Sequence, residues 1–282
     1  MEEKQIRFRR KREVSEVITD SFTFLKEEIK PISRIVLVYV LPFIIIYAAA
    51  QVYFQRNVLS NFDISNPESL MGNIGPFYLN LFFFMLFSLF IQSLLAGTFY
   101  SYIEAYIKKG KGNFQLSDIT SYFFSNSLLA LGAGFIYTIL VLIGVMFCLV
   151  PGIYLANTLS LVVFIFIFEK KGINDTLLGS WRLVNSQWWN TLLINLLGLV
   201  FVYFIGILLS IPGMFVGISG NFMMAAPEAP VEYPQWYWVL NGISSVVTTT
   251  LLIIPYTFQA FQYFNLNERL DPSSTNTPDI KL

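Results

Sequence analysis

Few residues in this chain could do chemistry, and their types set early limits. The 282 residues include no histidine, which removes the commonest general base and the commonest metal ligand. The single cysteine, Cys148, has no partner for an intrachain disulfide and lies in the apolar run Val145–Val150, where a small hydrophobe in a membrane helix is its simplest reading. Glu104, in SYIEAYIKKG (101–110), is the acid closest to the interior of an apolar span. It could serve as a coupling carboxylate or a contact for a lipid amine. More simply, it is a shallow interfacial acid paired with Lys108 at i,i+4.

Uncharged polar residues are more numerous. Asn157, Asn195, Asn241 and Gln259 fall inside apolar segments. They could line a polar path between the fourth and sixth spans, but such residues more often make hydrogen bonds between helices. Phosphate-loop, dinucleotide-fold, zinc and nucleophile-elbow patterns do not occur. No cofactor, metal or catalytic constellation is therefore expected, and an enzyme is the least favoured class.

The elements that would position these residues follow from composition. Hydrophobic residues make up 55% and charged residues 13%, with mean hydropathy +0.60. A soluble domain carries about a quarter charged residues, so lipid must solvate much of this chain. Six apolar segments approach or exceed the roughly 20 residues that span a bilayer: Ile32–Phe54, Phe77–Tyr102, Ser127–Val150, Gly152–Phe168, Trp188–Ile211 and Trp236–Phe264. Val150-Pro151-Gly152 predicts a tight turn between the third and fourth, while Pro42 and Pro255 predict kinks in the first and last. Gly213-x-x-x-Gly217 fits either a close helix approach or a loop.

With six spans, every lysine and arginine except Arg56 falls on one side, which makes that side, with both termini, cytoplasmic. No cleaved signal peptide is expected at the charged start MEEKQIRFRRKR. The basic run Arg7–Arg12 could meet anionic headgroups, and the zero net charge argues against nucleic acid. A membrane-protein partner or a second copy of the chain remains open.

Three stretches share a pattern: VSEVITDSFTFL (14–25), LSDITSYFFSNS (116–127) and INDTLLGSWRLV (173–184). Each runs apolar, Ser or Asn, then acid, a helix start in which Ser15, Ser117 or Asn174 would cap. Apolar positions then recur at helical spacing, in the third copy at Ile173, Leu177, Trp181, Val184 and Trp188. Each copy predicts a short amphipathic helix in the interface, feeding a hairpin of two spans. Trp181, Trp188, Trp189, Trp236 and Trp238 are the expected interfacial anchors.

The fold class expected is an all-α integral membrane protein of six transmembrane helices in three hairpins. Residues 1–13 form a basic start, 14–268 the membrane domain and 269–282 a disordered polar tail. Glu169-Lys170-Lys171-Gly172-Ile173-Asn174-Asp175, Ser180-Trp181, Trp188-Trp189 and Val150-Pro151-Gly152-Ile153-Tyr154-Leu155, with Leu41-Pro42, resemble bacterial six-span membrane proteins of unknown function. Those are related to the membrane domain of some glycerophosphoryl diester phosphodiesterases. The resemblance, over about residues 10 to 268, implies a fold and a bacterial cytoplasmic membrane. Because the phosphodiesterase catalytic domain is absent, that reaction does not carry over. The expected role is a non-enzymatic accessory, scaffold or lipid-interacting protein, with a transporter or lipid-handling protein as the alternative.

Overall fold

The computed structural model describes residues 6–59, 67–223 and 233–270, and everything regular among them is helical. The expected disordered tail at 271–280 and most of the proline-rich segment PEAPVEYP (227–234) lie outside the described residues. The chain runs through α1 (Val14–Glu27), α2 (Ile29–Tyr39), α3 (Leu41–Phe54), a π-helical turn (Gln55–Leu59), α4 (Pro67–Lys109), α5 (Leu116–Phe147) and α6 (Leu149–Thr158). It continues through α7 (Val162–Glu169), α8 (Ile173–Ser186), α9 (Trp188–Met223), α10 (Gln235–Leu251) and α11 (Ile253–Leu270). Among the described residues, five helical stretches are long and apolar enough to cross a membrane, or six if the bent pair α2–α3 counts as one. The chain is membrane-embedded and all-α.

Where the long stretches break, sequence explains it. The α2–α3 pair bends by 62° just before Pro42, which has no N–H to donate and disfavours helix in the residue before it. Leu252 separates α10 from α11 just before Pro255. The turn expected at Val150-Pro151-Gly152 falls earlier, at Cys148, whose backbone is extended between α5 and α6. Proline is tolerated in a first helical turn, so Pro151 opens α6 instead of ending α5. Gly152 is needed for packing: a Cβ there would lie 2.4 Å from Val145 Cγ2 and 3.0 Å from its Cα. Gly213 and Gly217 sit within continuous helix α9, not a loop.

Two compact units emerge: residues 1–40, 92–200 and 252–282, and residues 41–91 and 201–251. Helices α4 and α9 contribute to both. The first unit is built round aromatic rings. Phe8 stacks on Phe261 at 4.6 Å and meets Phe24, Tyr106 and Phe264 edge-on, while Phe164 packs on Tyr100 and Tyr263. In the second unit Phe84 stacks between Tyr47 and Phe54, and α3 packs on α10, where Ser245 donates to Gln51 Oε1 at 2.5 Å.

Helices α1, α5 and α8 begin at equivalent positions of the three similar stretches, Val14, Leu116 and Ile173. Their caps are not the expected Ser and Asn but the residues before, Glu13, Gln115 and Gly172. The acid explains the shift. At the third helical position it reaches back: Glu13 N–H donates to Glu16 Oε2 and Gln115 N–H to Asp118 Oδ2, both at 2.9 Å. That is one half of a capping box. The middle copy differs, since its amphipathic stretch is the first three turns of long helix α5 and not a separate helix.

Burial also shifts from the expected stripe. In α8 the buried side chains are Thr176, Ser180, Leu183 and Val184, with Trp181 42% exposed. In α1 they are Val17, Ser21 and Phe24, the same offsets as Thr176, Ser180 and Leu183. Small residues lie inward because α1 packs closely on α11 and α8 on α7 and α11.

Candidate functional site

The first unit holds most of the buried polar groups, arranged in four centres. The first is Glu104, in the penultimate turn of α4. It pairs with Lys108 as the spacing suggests, Nζ to Oε1 at 2.7 Å, and it is 1% exposed. Lys170 Nζ lies 3.3 Å from the same oxygen. Asn126 Nδ2 donates to Glu104 Oε2 at 3.2 Å and to Ser101 Oγ at 2.9 Å. Both ammonium groups sit over the Tyr122 ring, at 5.8 and 5.2 Å. Lys170 takes a left-handed backbone (φ 52°) at the end of α7. Two cations hold one buried carboxylate, so the charge is matched where it is most costly to leave bare.

The second centre is the break between α6 and α7. Asn157 Nδ2 donates to the Trp188 carbonyl at 3.0 Å, and Asn195 Nδ2 donates to Asn157 Oδ1 at 3.0 Å. Trp188 Nε1 donates to Thr158 Oγ1 at 3.1 Å, and Ser180 Oγ to the Thr158 carbonyl at 2.8 Å. A helix break leaves carbonyls without intrahelical partners; here the following helices supply them. Trp188 also stacks on Tyr154, which meets Trp181 edge-on.

The third joins the ends of the chain. Arg12 is 2% exposed. Its Nε donates to Asp20 Oδ2 at 2.7 Å, and its Nη1 donates to the carbonyls of Phe8 and Arg10 at 2.6 and 3.2 Å. Nη2 donates to the Arg7 carbonyl, and the guanidinium lies 4.9 Å from the Phe261 ring centre. Arg12 N–H donates to Asn265 Oδ1 at 2.7 Å, while Arg269 Nη2 donates to the Arg12 carbonyl at 2.7 Å and to Glu13 at 3.0 Å. Burial pulls the Arg12 guanidinium below its ordinary pKa, and its hydrogen bond to the Asp20 carboxylate opposes that; an arginine stays charged. Part of the Arg7–Arg12 run is therefore turned inward, and Arg10 pairs with Glu16 at 2.5 Å.

The fourth is Glu28, 4% exposed, whose Oε2 accepts the Tyr102 hydroxyl at 2.5 Å. Beside it lies a cavity of about 640 Å³, lined in part by Lys30, Arg34, Tyr102 and Phe114.

The residues expected to line a polar path have partners of their own in the first unit. Asn157 and Asn195 bond each other, Gln259 Oε1 accepts the Tyr100 hydroxyl at 3.2 Å, and Glu104 is held by lysines. In the second unit Asn241 has a buried Nδ2 with no partner among the described residues. It lines a cavity of about 220 Å³ with Gly213 and Tyr237. Of the expected anchors, Trp189 is 75% and Trp236 49% exposed, whereas Trp188 and Trp238 are half-buried.

Arg12, Glu28 and Glu268 escaped the sequence reading because hydropathy treats such residues as surface. Glu268 is fully buried, and neither carboxylate oxygen has a hydrogen-bond partner among the described residues. Lys30 and Arg34 stand four residues apart, a spacing visible in the sequence but counted there only toward topology. Among the described residues no group of three acids or thiols could hold a metal ion. No family model, curated protein or solved structure matches this chain.

Proposed function

We propose that this is a non-enzymatic accessory protein of the bacterial cytoplasmic membrane that engages lipid and, through its helices, other membrane components. Six spans form three hairpins, each preceded by an amphipathic segment at the cytoplasmic interface, with both termini on that side. The basic residues support this topology, since all but Arg56 fall on one side of such an arrangement. So do the apolar side chains exposed along the long helices, such as Phe82, Phe83, Leu142, Ile143, Val200 and Tyr203.

The observation that carries the reading is how the inner polar groups are used. Glu104 is saturated by Lys108, Lys170 and Asn126, Arg12 by Asp20 and carbonyls, and Asn157 by Asn195 and Trp188. They join helices to each other and form no nucleophile–base pair. The same pairing supports helix packing over a transport path.

Two measurements test this. Reporter fusions at residues 66 and 230 should report the outer side, and those at 112 and 178 the inner; a swap at any position refutes the topology. Purification in native lipid particles with mass spectrometry should find co-purifying lipids. Loss of solute transport on replacing Asn157 and Asn195 with alanine, at unchanged protein level and melting temperature, would favour the transporter instead.

A further inference from the structure

The cavity beside α2 is built unlike the other polar centres. Its walls include the ring of Phe114 and the buried aliphatic side chains Ile35 and Ile119, and Phe114 packs edge-on against Tyr102 at 5.2 Å. Lys30 and Arg34 also line it, and both are exposed. Four residues apart on one helix, they share a face.

The acids nearby are already engaged. Glu28 Oε2 accepts the Tyr102 hydroxyl, and its Oε1 lies 3.7 Å from Lys111 Nζ. Glu27 pairs with Lys111 at 3.2 Å, and Asp118 pairs with Lys109 at 2.8 Å. Lys30 and Arg34 have no side-chain hydrogen bond or ion pair with any described residue. Two cations left over on the wall of a cavity that also carries apolar side chains differ in kind from Lys108 and Lys170, which are bound to Glu104.

From this we infer a binding site for one anionic phospholipid. Its phosphate would be held between the Lys30 ammonium and the Arg34 guanidinium, the latter able to present two parallel N–H donors to phosphate oxygens. The upper acyl chains would lie against Pro31 and Phe114, over the buried Ile35 and Ile119. The cavity volume is within the range of small-ligand sites, and α2 exposes Leu37 (56%) and Val38 (56%) beside it, the apolar surface an interfacial helix presents to lipid. A free phosphate shares the headgroup chemistry but would leave the apolar wall unused. This site rests on the lipid-engaging reading above.

The test is titration of the full chain in detergent with dihexanoyl phosphatidylglycerol, dihexanoyl phosphatidylcholine and inorganic phosphate. Phosphatidylglycerol should bind tightest, and K30Q/R34Q should weaken it roughly thirtyfold at unchanged melting temperature. K30R/R34K should keep most of the affinity, and K26Q/R182Q, which removes two exposed cations outside the cavity, should change nothing. Should the double variant fail to fold, R34Q alone should still weaken binding several-fold, and added salt should weaken binding to the unaltered protein. Equal binding by phosphatidylcholine, or by inorganic phosphate, overturns the assignment. Phosphatidylglycerol binding that survives K30Q/R34Q overturns this site and leaves the broader lipid reading standing. Absence of phosphatidylglycerol binding to the unaltered protein overturns both.

Discussion

The two units use polar side chains in opposite ways. The first buries Arg12, Glu28, Glu104, Asn126, Asn157, Gln262, Asn265 and Glu268, among others, while the second buries only Ser245 among its described polar residues. The second is held by ring stacking and close approach, as where a Cβ on Gly206 would touch Thr248 Cγ2 at 3.2 Å. The first adds directional bonds to its packing. Hydrogen bonds and ion pairs have one correct geometry, whereas apolar contacts tolerate sliding. The arrangement of the first unit is thus fixed by directional bonds as well as by packing.

The largest test of that contrast is Gly97→Val. A Cβ at Gly97 would lie 2.5 Å from Ser127 Cα, so this change should cost at least about 3 kcal/mol and lower the melting temperature in detergent sharply. Gly206→Ala in the second unit should be absorbed by rotation of Thr248, and similar losses at both sites would erase the distinction. Arg12→Ala removes the partner of Asp20 and three carbonyls and should cost about 3 kcal/mol; limited proteolysis should then cut within the first helix.

Glu104→Gln leaves Lys108 and Lys170 without a counter-charge and should cost about 2 kcal/mol, seen as a melting shift that grows as salt is lowered. Trp188→Phe keeps the stack on Tyr154 but loses the bond to Thr158. It should cost about 1 kcal/mol, as should Ser245→Ala, which removes the inner polar bond of the second unit. Smallest is Lys171→Ala. Its ammonium is held above its ordinary pKa by the hydrogen bond to Glu169, yet its side chain is 59% exposed, and the melting temperature should barely move.

Much of the helical architecture was legible from hydropathy, because a run such as residues 188–211 has no other way to satisfy its backbone in lipid. The prolines at 42 and 255 marked real breaks. Pro151 misled, since a proline near a helix start and one at a turn look alike in sequence. The caps misled for a related reason: Ser15 and Ser117 are good caps by type, but Glu16 and Asp118 fix those helix starts from the third position. The polar centres were only half legible. Asn157 and Asn195 stood out as polar residues in apolar runs, but their pairing depends on the α6–α7 break, which no Gly or Pro announces. Lys30 and Arg34 were read only as members of a basic side, since nothing local shows that every nearby acid is already bound.

The bonds from Arg12 to Asn265 and from Arg269 back to Arg12 also order events in time. The partners are more than 250 positions apart, so on the ribosome Arg12 must wait for more than 250 further residues before these contacts exist. Until then Phe8 lacks the stacking face of Phe261, and Arg12 lacks its bond to Asn265. A chain interrupted before Phe261 therefore displays an aromatic ring and an unsatisfied donor that the folded one hides, the kind of exposed surface that makes folding intermediates prone to aggregate.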